Sequence, residues 1–158
     1  MAKIRLAEHA DVETVVALGA MLHAESPTYS PHPYSRTKAR AIAQSCIGSL
    51  LAPSTDSVLF VADEDGEIVG MLGGYLTEGL FVDGMLIASD YTFFVRPEWR
   101  GTMAAPRLLV SFEQWAKGMG ATHIYPSVST RIDDERIVKF YEAMGYQHTG
   151  HNLSKRIG

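Results

Sequence analysis

The sequence predicts an α/β (α+β) fold, a mixed central sheet of six to seven strands flanked by about four helices. Three observations carry this. Some segments alternate apolar and polar residues at period two, the mark of half-buried strands. Others repeat apolar residues at three- and four-residue spacing, the mark of amphipathic helices. The two kinds follow one another in the order β-α-α-β-β-β-α-β-α-β-β, which suits a sheet covered by helices. The 158 residues are 46% hydrophobic, enough for one domain with its own core, residues 1–158.

The first strand is "KIRLAE". Asp11 is placed to cap a helix whose apolar face is Val12, Val15, Val16 and Leu22. The stretch 25–35, "ESPTYSPHPYS", holds three prolines among small polar residues and is a loop. Ile42, Cys46 and Leu50 recur at four-residue spacing and give the second helix its stripe. "SVLFVADEDGEIVGMLGGYL" has two apolar runs around Asp65-Gly66, a strong hairpin signal. "GLFVDGMLIASD" connects to a strand ending at Val95, and its Leu80, Phe81, Val82, Met85 and Leu86 are many apolar residues for a connection. Either they complete the core or they form an exposed patch that pairs two subunits. The third helix carries Leu108, Phe112, Trp115, Ala116 and Met119 on one face, tolerates Pro106 in its first turn, and ends near Gly120. "THIYPSVS" is the next strand. Asp133 or Asp134 can cap a last helix striped by Ile137, Phe140, Tyr141 and Met144 and ended by Gly145, and "YQHTGHNLSKRI" reads as a terminal strand pair.

Composition narrows the function classes. A net charge of −4 gives no general attraction to nucleic acid or to anionic lipid, so neither is expected as a partner. No apolar run approaches the roughly 20 residues that span a membrane. The charged start "MAKIRLAEHAD" lacks the apolar stretch of a signal peptide, and the single cysteine, Cys46, excludes an internal disulfide; a cytoplasmic protein is expected. Cys46 on a helix stripe reads as a core residue rather than a nucleophile. Of the six histidines, His148 and His151 lie close in sequence but have no clear third ligand, so no metal site is expected.

The stretch "VRPEWRGTMAAPRLLV" poses the chemical question. A strand stops at Pro97, small residues follow, and a helix opens. The free amides at a helix start carry about half a positive charge and make a ready anion site. Small side chains at Gly101, Thr102, Ala104 and Ala105 would permit close approach; Met103 sits among them. The residues alone leave open a phosphate cradle or a plain turn.

Here the sequence resembles the GNAT superfamily of N-acetyltransferases. Val95 and Pro97, then Arg100, Gly101, Thr102, Met103, Ala104 and Ala105, follow that family's V-x-P strand end and Q/R-x-x-G-x-G/A loop. "FYEAMGY", Phe140 to Tyr146, is similar to its L-Y-x-x-x-G-F segment, and "IRLAEHAD" and the hairpin fit in the same order. Two positions depart: Met103 stands where the pattern has glycine, and Asp134 where many relatives have an asparagine that contacts the cofactor. A methionine can serve if its side chain points away and its φ stays negative. A carboxylate near phosphates would be repulsive, so Asp134 can instead be a helix cap alone.

The resemblance implies a largely antiparallel sheet and acetyl-CoA bound between splayed strands. The edge Phe93, Phe94 and Val95 would pair with the pantetheine amides, and the loop Arg100 to Ala105 would hold the pyrophosphate. It implies direct transfer of acetyl to an amine-bearing acceptor, with Tyr141 donating a proton or hydrogen bond to the departing thiolate. A free phenol of pKa about 10 is a weaker acid than a thiol of about 8.5, so full transfer is uphill by about 2 kcal/mol unless the site lowers the phenol. On the residues alone, Tyr141 reads as core. An amine of pKa near 10.4 is neutral in roughly one molecule in a thousand at pH 7, so a base is needed. Asp90 is the first candidate and Glu25 the second. In such proteins the segment between the first two helices walls the acceptor site, which points to Glu25, Tyr29, His32 and Tyr34 for specificity. Many relatives are dimers, so a homodimer is expected. A catalytically silent acyl-CoA-binding or sensing domain, or a structural domain with an unused cleft, are the other readings.

Overall fold

The computed structural model describes residues 1–48 and 55–158. Its order is β1 (Lys3–Leu6), α1 (Val12–Glu25), α2 (Arg36–Ile47), β2 (Ser57–Glu64), β3 (Glu67–Glu78), β4 (Leu86–Val95), α3 (Ala104–Gly118), β5 (His123–Tyr125) and α4 (Asp134–Ala143). Leu50, assigned to the second helix from its spacing, lies outside the described residues. The strands lie in sequence order. β1 to β4 pair antiparallel, and β5 joins β4 in parallel after the α3 crossover. The hairpin turns where expected, with Asp65 at φ 51° and Gly66 at φ 91°, the left-handed pair that a two-residue turn requires.

Alternation along the sheet divides the core in two. Val58, Ala62 and Val69 face α3 and α4, packing with Leu108, Phe112 and Tyr141. Leu59, Val61 and Phe94 face α1 and α2, packing with Val16, Leu18, Ala43 and Cys46. Cys46 is buried, and its Sγ lies 3.0 Å from the Tyr91 hydroxyl.

β3 and β4 lose register in their middle. Gly73 pairs with Thr92 but Gly74 with Asp90, so Tyr91 is an extra residue, a β-bulge. The glycine pair makes this possible. A Cβ on Gly73 would run into the Tyr91 ring, and one on Gly74 would sit 2.5 Å from Phe112 and from the Ser89 carbonyl.

Three local expectations are corrected. The terminal strand pair is not formed: residues 147–158 are exposed and unpaired, and the described sheet has five strands rather than six or seven. Leu153 and Ile157 are separate apolar residues among polar ones, too little apolar surface to hold a strand, and β5 itself stops before Pro126, which lacks an amide donor. Asp11 does not cap α1. Its carboxylate takes the Glu8 amide at 2.7 Å and both Arg5 Nη1, at 2.7 Å, and Nη2, at 3.0 Å, closing the turn before the helix. Neither Asp133 nor Asp134 caps α4 through its side chain; Asp133 enters the helix at φ 49°.

Of the connection 79–85, Leu80, Phe81 and Val82 are exposed, Phe81 fully so and at φ 61°. They do not complete the core. No described helix is long and apolar enough to cross a membrane.

Candidate active site

β4 and β5 pair over three residues, from Ile87↔His123 to Ser89↔Tyr125. Beyond that point β4 runs on to Val95 with β3 as its one neighbour among the described strands, and the sheet forks. Asp90 stands in the fork. Its Oδ1 accepts the Ser127 amide at 2.8 Å, replacing the ladder bond that the diverging strands no longer make. Burial pushes the Asp90 carboxyl up to about 6, against the lowering effect of that amide.

The far end of the open edge meets the loop before α3. A short turn at Pro97–Trp99 leads to Gly101 at φ 83°, a left-handed position that suits glycine. Thr102 Oγ1 donates to the Trp99 carbonyl at 2.7 Å and accepts the Ala104 amide at 3.2 Å, which fixes the loop. Among the described residues, the amides of Gly101, Met103 and Ala105 have no acceptor, and Pro106 has no amide to offer. Three donors without a described acceptor therefore lie at the start of α3, where the helix dipole is positive. Met103 lies at φ −77° with its side chain 55% exposed, and Ala104 packs into the core. Arg100 turns inward: Nε donates to the Val95 carbonyl at 3.0 Å, Nη2 pairs with Glu25 Oε2 at 2.7 Å, and the guanidinium lies 5.4 Å from the Phe94 ring centre. Glu25 thus holds the loop's arginine.

Tyr141 comes to the fork from α4. Its ring packs edge-on against Phe93, centroids 6.5 Å apart, and against Tyr146 at 5.3 Å. The residue is 6% exposed, yet its hydroxyl has no hydrogen-bond partner among the described residues. A buried core tyrosine usually finds one. Burial holds the phenol well above its ordinary value, and the nearby Asp90 carboxylate pushes the same way. The Tyr146 hydroxyl is engaged, donating to Glu113 Oε1 at 2.8 Å.

The α1–α2 loop crosses over to this side. Ser26, fully buried, donates from Oγ to the Thr130 carbonyl at 2.6 Å and accepts the Tyr29 amide at 3.3 Å. Sequence reasoning missed Ser26, because its partner is 104 residues away and no local pattern marks it. Tyr29 and Tyr34 from the same loop line a cavity of about 240 Å³ between α1, α2 and the sheet, whose other walls include Tyr91 and Thr92 at the bulge. His32 is exposed. Asp134 is the first residue of α4, in a shallow depression with Glu135, Val138, Lys139 and Glu142, and its Oδ1 is buried without a partner among the described residues. His148 and His151 have rings 5.0 Å apart in the exposed tail, and no described group of three or more His, Cys, Asp or Glu could hold a metal.

A forked sheet with an open strand edge, unpaired amides opening the next helix and a free phenol at the fork agree with one family comparison. Residues 19–146 match the acetyltransferase (GNAT) family model. The chain belongs to the GNAT family. The fold is shared across the whole GNAT domain by solved structures of low identity. A transcriptional regulator from Bacillus halodurans C-125 is 21% identical with a TM-score of 0.78, covering 99% of this chain and 100% of that one. The acetyltransferase AAC(6')-Iy, in complex with the bisubstrate analog CoA-S-monomethyl-acetylneamine, is 18% identical with a TM-score of 0.76, covering 100% and 99%. Glucosamine-6-phosphate N-acetyltransferase from Arabidopsis thaliana is 17% identical with a TM-score of 0.75 over the same shares. In this GNAT chain the matching motifs fall at the strand end before α3, at the loop 100–105 and on α4.

Proposed function

We propose that this protein is an acyl-CoA-dependent N-acyltransferase that moves acetyl from acetyl-CoA directly to a primary amine. The observation that carries the reading is the alignment of three features along one open edge: the free loop amides, the unpaired side of β4, and the unbonded Tyr141 hydroxyl beside Phe93. Gly101, Met103 and Ala105 would take the pyrophosphate through their amides, with Thr102 and Ala104 shaping the loop. Phe93, Phe94 and Val95 would line the pantetheine arm, with Phe94 in register with Met71 on β3 and the Val95 carbonyl shared with Arg100 Nε. Arg100 acts by holding the loop to Glu25 and Val95 rather than by touching phosphate. Asp134, with a carboxylate, offers no donor to an anionic cofactor.

The amine nitrogen attacks the thioester carbonyl, the C–S bond breaks, and the sulfur leaves as thiolate. Because burial raises Tyr141, it serves as a neutral hydrogen-bond donor to the developing charge rather than as a full acid. Asp90, pushed up to about 6, is ionised at pH 7 yet more basic than a surface carboxylate, and suits receipt of the ammonium proton directly or through water. Glu25 is committed to Arg100 and is the weaker candidate base. The CoA-bound relatives support acetyl-CoA as co-substrate. The buried Cys46 thiol suits a reducing, cytoplasmic setting. The test is release of CoA thiol from acetyl-CoA across a panel of amines. Tight CoA binding without turnover on any amine would favour the silent acyl-CoA-binding domain instead.

Asp90→Asn separates structure from catalysis. The folded protein holds the Asp90 proton more tightly than the unfolded chain does. Stability is therefore highest below about pH 4, falls as pH rises towards about 6, and carries the full penalty above that. Asparagine keeps an acceptor for the Ser127 amide and carries no charge. The variant is expected to be more stable than the parent at pH 7 by about 1–3 kcal/mol, a gain that vanishes below pH 4. Its turnover should fall, with the parent's rise in rate near pH 6 lost. Unchanged turnover with the stability gain would leave Asp90 as a fork residue only.

A homodimer through the loop tip is part of this reading. Leu80, Phe81 and Val82 are exposed together, and Phe81 holds a left-handed backbone that costs energy. Sedimentation equilibrium should give twice the chain mass, shifted towards monomer by Phe81→Ser. A concentration-independent monomer would overturn it.

A further inference from the structure

We infer that the cavity between α1, α2 and the bulge of β4 is the acceptor's side-chain pocket, and that the acceptor is a primary amine carrying a single aryl or branched alkyl group. The inference rests on the acyltransferase reading and narrows it to a substrate class. β4 is the wall shared by cavity and fork: Asp90 stands in the fork, Tyr91 and Thr92 line the cavity, and Phe93 begins the open edge. An amine seated here would place its nitrogen towards the fork and its carbon skeleton between the helices.

The chemistry of the walls sets the class. Among the described residues no carboxylate, lysine or arginine lines the cavity, and its surface is mainly hydrocarbon and aromatic. Two of its hydroxyls are committed inside the protein, and the His23 ring lies 5.3 Å from the Tyr34 ring, with the Tyr29 and Thr92 hydroxyls the other polar groups on the wall. The Tyr34 hydroxyl donates to the Val16 carbonyl at 2.9 Å, and the Tyr91 hydroxyl meets Cys46 Sγ at 3.0 Å. A polycation or a polyhydroxylated acceptor would enter with most of its charges or hydroxyls facing hydrocarbon, which a mainly apolar pocket penalises. The size of about 240 Å³ also fits. An apolar cavity of about 150 Å³ is large enough for benzene, so one ring with a short linker can be held. The bulge is what creates the space. The register shift turns Tyr91 over Gly73 towards α2, and the glycine's missing side chain receives the ring.

The test has a binding arm and a turnover arm. Calorimetry with 2-phenylethylamine and 3-methylbutylamine should give saturable binding, and ethanolamine and spermidine should give none at the same concentrations. In CoA thiol release, kcat/KM should favour the two apolar amines. Ala39→Leu and Ala43→Leu both add bulk from α2 into the cavity, the first at a partly exposed position that leaves folding safe. Each should lower the preference for 2-phenylethylamine over ethanolamine by about tenfold, mainly through KM for the aryl amine. Saturable aryl-amine binding without CoA release would uphold the pocket and sink the acyltransferase reading. CoA release that favours spermidine or ethanolamine, or that keeps its preference in both leucine variants, would overturn the pocket and leave the acyltransferase reading standing. Absence of saturable binding by either apolar amine would overturn the pocket as well.

Discussion

Tyr141→Phe is expected to lower turnover by about 10²–10⁴-fold while leaving CoA affinity and thermal stability nearly unchanged. The ring stays, and with it the packing against Phe93, Phe140 and Tyr146. The hydroxyl goes, and it has no partner among the described residues to leave unsatisfied. That is why the stability effect should be small: losing a bonded hydroxyl costs about 1 kcal/mol, losing an unbonded one less. The hydroxyl's value lies in the transition state, where charge builds on sulfur in a low-dielectric site. An interaction made only there lowers kcat and kcat/KM together and leaves ground-state binding alone. Thiol release and melting on the same two proteins measure both sides. Full activity in the phenylalanine variant would remove Tyr141 from the chemistry. A melting loss with full activity would mark it as an ordinary core residue.

Local chemistry made much of this molecule legible. Asp65-Gly66 specifies a left-handed turn by itself, and the hairpin forms there. The third helix's apolar stripe follows from spacing, and Leu108, Phe112 and Ala116 are buried as that spacing requires. The loop 100–105 was visible because small residues before an amphipathic helix are a local pattern. What stayed hidden depends on partners distant in sequence. The Ser26–Thr130 tether, the Asp90–Ser127 bond and the Arg100–Glu25 pair join residues 104, 37 and 75 apart. No periodicity records such pairs. The bulge at Tyr91 was equally hidden, since it arises from register between two strands and shows on neither alone. The tail erred in the other direction. Its spacing reads as strand, but Leu153 and Ile157 are isolated apolar residues that bring too little apolar surface to hold it against the sheet, and β5 is short and is followed by a proline.

Ala105→Glu is expected to weaken CoA binding by about 100-fold or more, since placing like charges together costs several kcal/mol. Ala105 is in the first turn of α3, and its own amide is one of the three without an acceptor. A pyrophosphate accepting from Gly101, Met103 and Ala105 would lie against this Cβ. A glutamate there would carry its own carboxylate to the positive helix end and compete for the same amides. The fold should survive, because an acidic residue in a helix's first turn is favourable by about 0.3–1 kcal/mol. Thus affinity and stability should move separately, which a general loss of structure would not produce. Raising salt should recover part of the loss, because the repulsive component is screened. Met103→Gly is the companion variant. Met103 already has a negative φ and an exposed side chain, so its amide, rather than its identity, should matter. Affinity should stay within about threefold, with up to about 1 kcal/mol lost as glycine loosens the helix start. Calorimetry with CoA on both variants, beside thermal melts, decides the matter. Unchanged affinity in Ala105→Glu would take the loop out of the cofactor site, and a collapse of binding in Met103→Gly would mean that the methionine side chain, not the backbone, holds the ligand.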